Sequence, residues 1–177
     1  MATQLDRILS ADYHGDLQQR SMEDVRSMRT ECQAVETGLS YLRRMVQGRL
    51  DIVGVELQRR RDGGEPGDLA TLVSRLPEIL SEHTRSPGVG RLPQTMAPGE
   101  IDPGLEQQLN EIVGPHDVES LPSLQDDELL ALHDALEAFE HEVSARRRDV
   151  FDRIDALQAE ITRRYRTGEA SVETLLQ

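Results

Sequence analysis

ETGLSYLRRMVQGRLD at residues 36–51 and EHEVSARRRDVFDRID at residues 140–155 are two copies of one pattern, and their alignment decides how the chain is read. Glu36 aligns with Glu140, Ser40 with Ser144, Arg43 with Arg147, Arg44 with Arg148, Arg49 with Arg153 and Asp51 with Asp155, all at one offset of 104 positions. The offset continues past the pattern, where Glu56, Arg59 and Arg60 meet Glu160, Arg163 and Arg164. Shared ancestry or a shared task is implied.

Working outward, each copy lies inside a long heptad stretch. From Ser21 to Arg61 there is no proline, and Val25, Met28, Cys32, Val35, Leu39, Leu42 and Val46 fall alternately three and four residues apart. That spacing is a coiled-coil seam. Ser21 with Asp24 offers capping chemistry, and Asp62-Gly63-Gly64 followed by Pro66 stops the helix after Arg59, Arg60 and Arg61. A second helix is predicted to start after Pro122 with Ser123 as its cap, to carry Asp126, Asp127 and Glu128 in its first turn, and to end near Arg166 before Gly168. Its seam is Leu129, Leu132, Leu136, Phe139, Val143 and Val150. Both seams lapse at an arginine, at Arg49 with Leu50 and at Arg146 with Ile154 beyond it. Val53, Leu57, Leu157 and Ile161 then resume the pattern in a shifted phase, as stutters do.

The expected fold is therefore all-α: an antiparallel two-helix coiled coil, a helical hairpin, with a long Gly/Pro-containing linker bearing short helices. Its parts are an N-terminal arm at 1–20, helix 1 at 21–61, the linker at 62–122, helix 2 at 123–166 and a tail at 167–177. The linker holds two short amphipathic patterns, at Leu69, Leu72, Val73 and Leu76 and at Leu105, Leu109, Ile112 and Val113. A connection of this length reads as partly disordered, or as pieces that dock on the hairpin or a partner.

Composition agrees. Aromatic residues make up 3% of the 177-residue chain, Trp is absent and charged residues reach 30%, which excludes a thick globular core and suits long helices. A net charge of -13 repels phosphate backbones over most of the surface, so direct DNA binding is not expected. All 20 basic residues are Arg, the codon bias of a high-GC bacterial genome. The lone Cys32 sits on the seam as a buried small hydrophobe in a reducing compartment. The first twenty residues lack the apolar run of a signal peptide and no segment reaches membrane-span length, so a cytoplasmic protein is expected.

Glu36, Ser40, Arg43, Gln47 and Asp51 are four, three, four and four residues apart, which places them on one face of a helix. With Cys32 at a and Val35 at d, Glu36 and Arg43 are e residues and Ser40 and Gln47 are b residues; the second copy takes the same letters with Phe139 at d. In an antiparallel pair both e rows flank one edge of the seam, so the stripes are expected side by side. The register that centres them sets Glu36 opposite Asp155 and Asp51 opposite Glu140, and pairs Arg61 with Leu130 and Val25 with Arg166. Gly38, Gly48 and Gly54 each cost helix 1 about 1 kcal/mol relative to alanine, which suggests a close approach or a kink there. Charged e and b positions are also ordinary register devices, so a stripe by itself does not demand a ligand.

The five-position pattern E-x3-S-x2-R-x3-Q-x3-D resembles the signature of the RsiG-type anti-sigma factors. The second copy keeps Glu140, Ser144, Arg147 and Asp155 but has Phe151 where the pattern has Gln. The resemblance is confined to the two helices. It implies a coiled coil that binds a dimer of cyclic di-GMP and, when loaded, holds a sporulation sigma factor of the WhiG type inactive. The ligand-binding residues it implies are Glu36, Ser40, Arg43, Arg44, Gln47 and Asp51 in one copy and Glu140, Ser144, Arg147, Arg148, Phe151 and Asp155 in the other. Arginine forks onto guanine O6 and N7 or onto phosphate, and carboxylates accept from guanine N1 and N2. Phe151 removes one amide and either stacks on a base or packs.

An enzyme is not expected, because His14, His83, His116, His133 and His141 form no triad or ligand spacing; no catalytic residue and no metal site is assigned. Two motifs in one chain imply a monomer before it meets its partner. The competing reading is a coiled-coil scaffold or adaptor that binds a protein partner without any nucleotide.

Overall fold

The computed structural model describes residues 3–63, 101–114 and 117–169. Its elements are α1 (Gln4–Leu9), α2 (Met22–Arg61), α3 (Pro103–Ile112) and α4 (Asp126–Thr167), with 3-10 helices at Ala11–His14, Leu17–Gln19 and Asp117–Ser123. The fold is all-α with a long helix pair, and there is no strand among the described residues. The pattern at Leu69, Leu72, Val73 and Leu76 and the last part of the tail lie outside the described residues.

The long helices form where the heptads run. α2 opens on a reciprocal cap in which the Asp24 N–H donates to Ser21 Oγ at 3.0 Å and the Ser21 N–H donates to Asp24 Oδ2 at 3.2 Å. It ends at Arg61, two residues before Gly63 adopts a left-handed φ of 70°. α4 ends at Thr167 ahead of Gly168, which has φ 76°. Its start corrects the expectation. Ser123 is not the cap but belongs, with Pro122, to the preceding 3-10 helix, and its hydroxyl donates to the Ser120 carbonyl at 2.6 Å. The cap forms two residues later, where the Gln125 N–H donates to Glu128 at 2.8 Å, because the carboxylate reaches back further than a serine hydroxyl does.

The described residues fall into two compact units, 3–40 with 101–102 and 144–169, and 41–63 with 103–114 and 117–143. Each takes half of α2 and half of α4, so each combines the beginning of one repeat copy with the end of the other. Within each unit the two halves run antiparallel. In the first unit Arg26 donates to Tyr165, Arg29 to Gln158 at 2.6 Å and Arg147 to Glu36 at 2.8 Å. In the second, Arg43 meets Glu140 at 2.7 Å and Arg60 meets Asp126 at 2.6 Å.

The seams supply the cores. Val25, Cys32, Leu39, Val150, Leu157 and Ile161 are buried in the first unit, and Leu42, Val46, Val53, Leu129, Leu136, Phe139 and Val143 in the second. Val35, Leu132 and Leu57 are only half-buried. Burial also raises the Cys32 pKa, so the thiol stays protonated and inert.

Segments outside the long helices cover what the seams leave open. The N-terminal arm is ordered: α1 carries a capping box between Thr3 and Asp6 and buries Leu5 and Ile8, and Tyr13 follows them into the core. In the second unit α3 buries Leu105 and Leu109, joined by Val113 and Leu121. The last carbonyls of a helix have no partner within it. In the first unit Arg153 donates to Leu9 O, the last carbonyl of α1, and to Ser10 O, which also accepts from the Tyr13 N–H at 3.2 Å; both bonds from Arg153 are 3.4 Å long. In the second, Arg49 donates to Val113 O, just past the end of α3, at 2.6 Å and to Leu109 O at 3.2 Å, which also accepts from the Val113 N–H at 3.0 Å. Leu9 and Val113 are separated by the same offset as Arg49 and Arg153. So are Leu17 and Leu121, whose carbonyls accept from Arg164 at 2.6 Å and Arg60 at 3.1 Å. The duplication thus runs through the arms.

These contacts explain the seam lapse at Arg49: the position caps a covering segment instead of filling the seam. They do not explain the glycines. A Cβ added at Gly48 or Gly54 meets no protein atom within 4 Å, so no neighbouring part of the protein requires a glycine at either place.

Buried carboxylates support the clamps. Glu160 is 8% exposed and accepts from Arg163 and Arg164, whose hydrogen bonds lower its pKa from 4.5 to about 2. Its folded value lies below its unfolded one. The stability it supplies is therefore present above about pH 4.5 and is lost as the pH falls toward 2. Urea midpoints measured between those pH values should fall, and Glu160→Gln should flatten that part of the profile. For the clamps, Arg153→Ala should speed amide hydrogen exchange in α1 and Arg49→Ala in α3, each by the equivalent of about 1–3 kcal/mol, and each should leave the other short helix unchanged.

Candidate functional site

Each unit brings stripe residues from both copies into one hydrogen-bonded group. In the first, Arg147 Nε donates to Glu36 Oε1 at 2.8 Å and to Ser40 Oγ at 2.7 Å, while the Ser40 hydroxyl donates to Glu36 Oε1 at 2.6 Å. The Arg147 guanidinium also lies over the Phe151 ring, 4.7 Å from its centroid. In the second, Arg43 Nε donates to Glu140 Oε1 at 2.7 Å and Gln47 Nε2 donates to the same oxygen at 3.1 Å. The arginine side chains keep 31% and 37% of their exposure, whereas Glu36 and Glu140 keep 18% and 13%.

The carboxylates are held in place and the arginines face outward. In both groups the carboxylate takes the Nε edge of the guanidinium. Among the described residues the protein provides no partner for the terminal nitrogens of Arg43 or Arg147. Those two nitrogens form the fork that suits carboxylates, phosphates and the acceptor edge of a guanine. A guanidinium fixed at one edge has lost part of the rotamer entropy that binding would otherwise cost.

The stripes therefore meet, but not in the register expected. Glu36 faces Arg147 instead of Asp155, and Glu140 faces Arg43 instead of Asp51. Opposing two carboxylates costs Coulomb energy, and a long arginine reaches the carboxylate from a neighbouring turn. Near one end of the helices the pairing of Arg26 with Tyr165 does follow the expected register. Near the other, Arg60 contacts Asp126 where Arg61 was expected beside Leu130. Of the remaining predicted residues, Arg44, Arg148 and Asp155 are exposed, and Asp51 and Ser144 are half-buried. Neither Arg44, Arg148 nor Asp155 joins the two groups among the described residues.

Sequence reasoning gave no role to Arg49 and Arg153, or to Glu56 and Glu160, although the alignment contained all four. The signal for Glu56 and Glu160 was the repeat continuing beyond the pattern, and for Arg49 and Arg153 their identity within it. A cleft of about 280 Å³ lined by Leu9, His14, Asp149, Asp152 and Arg153 shares no residue with either stripe group. His133, Asp134 and Glu137, half-exposed to exposed on one stretch of α4, bring their ligand atoms within 4.8 Å of one another.

A sequence model of the RsiG-like family matches residues 11–80 and 115–177, about three quarters of the chain, and the match spans both stripes. The chain belongs to the RsiG-like family. This is a family of anti-sigma factors, regulatory proteins and not enzymes, and the partner it entails is a sigma factor. No curated protein matches the chain. The family match omits α1 and α3, the two short helices that Arg153 and Arg49 clamp. No helix among the described residues is long and apolar enough to cross a membrane.

Partly exposed ion pairs contribute about 0–1 kcal/mol to stability, so the stripe pairs are weak as structural elements. Double-mutant cycles for Glu36 with Arg147 and for Glu140 with Arg43, read by urea unfolding, should each return a coupling of about 1 kcal/mol or less. A coupling of several kcal/mol would make the stripes structural.

Proposed function

We propose that this anti-sigma factor is controlled by cyclic di-GMP, which it binds through its two stripe groups as a dimer, and that the loaded protein holds a WhiG-type sporulation sigma factor inactive in the cytoplasm. The observation that carries this reading is the pair of arginine forks. Arg43 and Arg147 are each braced at Nε by a carboxylate from the other long helix, with both terminal nitrogens turned to no protein group among the described residues. Cyclic di-GMP offers both kinds of acceptor such a fork takes, guanine O6 with N7 and phosphate oxygens, and it offers N1 and N2 donors to Asp51 and Asp155. Each good bidentate contact is worth about 1–3 kcal/mol by analogy with base readout.

The chain's net charge of -13 does not oppose an anionic ligand locally. Arg43 and Arg44 in α2 and Arg146, Arg147 and Arg148 in α4 concentrate positive charge at the stripes, and screening limits the influence of distant carboxylates to about 8 Å at physiological salt. The acidic remainder suits the basic surfaces of a sigma factor.

The competing scaffold reading has one observation in its favour: the pairs of Arg43 with Glu140 and Arg147 with Glu36 form without any ligand. On that reading, combining Ser40→Ala with Ser144→Ala changes nothing. The test is isothermal titration of cyclic di-GMP into the full chain, with cyclic di-AMP as control, alone and with the sigma factor. Two ligands per chain, selectivity for guanine, and a melting temperature that rises with ligand concentration are expected. Arg43→Ala and Arg147→Ala should each abolish binding while helix content by circular dichroism persists. Unchanged affinity in both variants sinks the nucleotide reading.

A further inference from the structure

The two stripe groups brace their arginines by different chemistry. In the second unit Gln47 donates an amide hydrogen to Glu140 Oε1, the same oxygen that holds Arg43. At the matching place in the other copy stands Phe151, which cannot donate. There the Ser40 hydroxyl donates to Glu36 and accepts from Arg147, and the aromatic ring takes one face of the guanidinium. Phe151 is 37% exposed, one of two large apolar side chains left open among the described residues. Phe151 stands at the b position that Gln47 takes in the other copy, whereas Phe139, at d, is buried at 5% exposure. The Phe151 ring sits beside a charged fork at the surface, where an arginine and an aromatic attract each other through the ring quadrupole.

That placement has a consequence for any planar base. A base taken bidentately by the two terminal nitrogens lies in the plane of the guanidinium. With the Arg147 Cζ 4.7 Å from the Phe151 centroid, a base held by that fork lies within reach of the ring. Stacking of a base on an aromatic side chain depends little on which base it is, because every base has a π face. Amide bracing contributes no such platform.

We propose that Phe151 is the base-stacking residue of the first unit's stripe group, carrying the purine that Arg147 forks, whereas the second unit's group has Gln47 at that place and offers no ring. The two groups are in consequence unequal, and stacking on Phe151 adds affinity with little preference between guanine and adenine. This rests on the cyclic di-GMP reading above.

The test uses the full-length chain with cyclic di-GMP and cyclic di-AMP as probes. The chain has no Trp, so Phe151→Trp places a single indole at the proposed platform. Expected are wild-type affinity in that variant and quenching of its emission on adding cyclic di-GMP. Phe151→Leu, which keeps an apolar side chain but no ring, should weaken one of two resolved binding events roughly ten-fold or more and leave the other unchanged. Wild-type chain that binds two ligands, together with a Leu variant of undiminished affinity or an indole whose emission does not change, overturns this proposal and leaves the nucleotide reading standing. Wild-type chain that binds neither probe overturns both.

Discussion

Backbone carbonyls at the ends of short covering segments are the constraint around which both units are built. A helix of six or ten residues leaves its last carbonyls unpaired over a large fraction of its length, and burying its apolar face without satisfying them would be unfavourable. Arg153 and Arg49 give Leu9 O and Val113 O a donor from the long helices, and Arg164 and Arg60 add a second donor to Leu17 O and Leu121 O, which already accept from the N–H groups of Arg20 and Leu124. Arg164 and Arg60 are positioned by Glu160 and Glu56, each of which is nearly buried and charge-paired. Removing such a carboxylate strands a cation, and so for these two arginines the chain of dependence runs from carboxylate to arginine to 3-10 segment.

Duplication and exchange explain why the same solution appears in both units. Each combines the first part of one copy with the second part of the other, so a clamp arginine and the carbonyl it caps come from different copies. The stripe groups obey the same rule: Glu36 and Ser40 meet Arg147, and Glu140 meets Arg43. A binding group assembled in this way exists only when both copies are folded against each other. A ligand that bridges its parts therefore stabilises that pairing by mass action.

Electrostatics separates the structural arginines from those free to act. Arg164 is 6% exposed and directs its donors to a carboxylate and a carbonyl within its unit. Arg43 and Arg147 spend only Nε on the protein. Guanidinium chemistry permits both roles in a chain without lysine, because five donors in a fixed fork can be shared between holding and binding, whereas an ammonium group has no second edge to offer.

The sequence by itself determined the two long helices, their heptad seams and the outer ends of both, since a spacing of three and four residues, a capping pair and a terminal glycine are local signals. The repeat also put Glu36, Ser40, Arg43 and Gln47 on one face of a helix and Glu140 and Arg147 on another, but Arg44, Arg148 and Asp155, named with them, stay outside the groups those residues form. Only the tertiary structure decided which partners those residues take. Glu36 bonds Arg147 in preference to facing Asp155, a choice made by charge attraction and side-chain reach across two helices, and neither quantity is written in the spacing along one. Tertiary contacts also decided that α1 and α3 are covering helices and that Arg49 is a clamp where the seam appeared to lapse. A six-residue helix has too few turns to be stable or periodic by itself, and it becomes legible only when the surface it covers and the arginine that caps it are both in place.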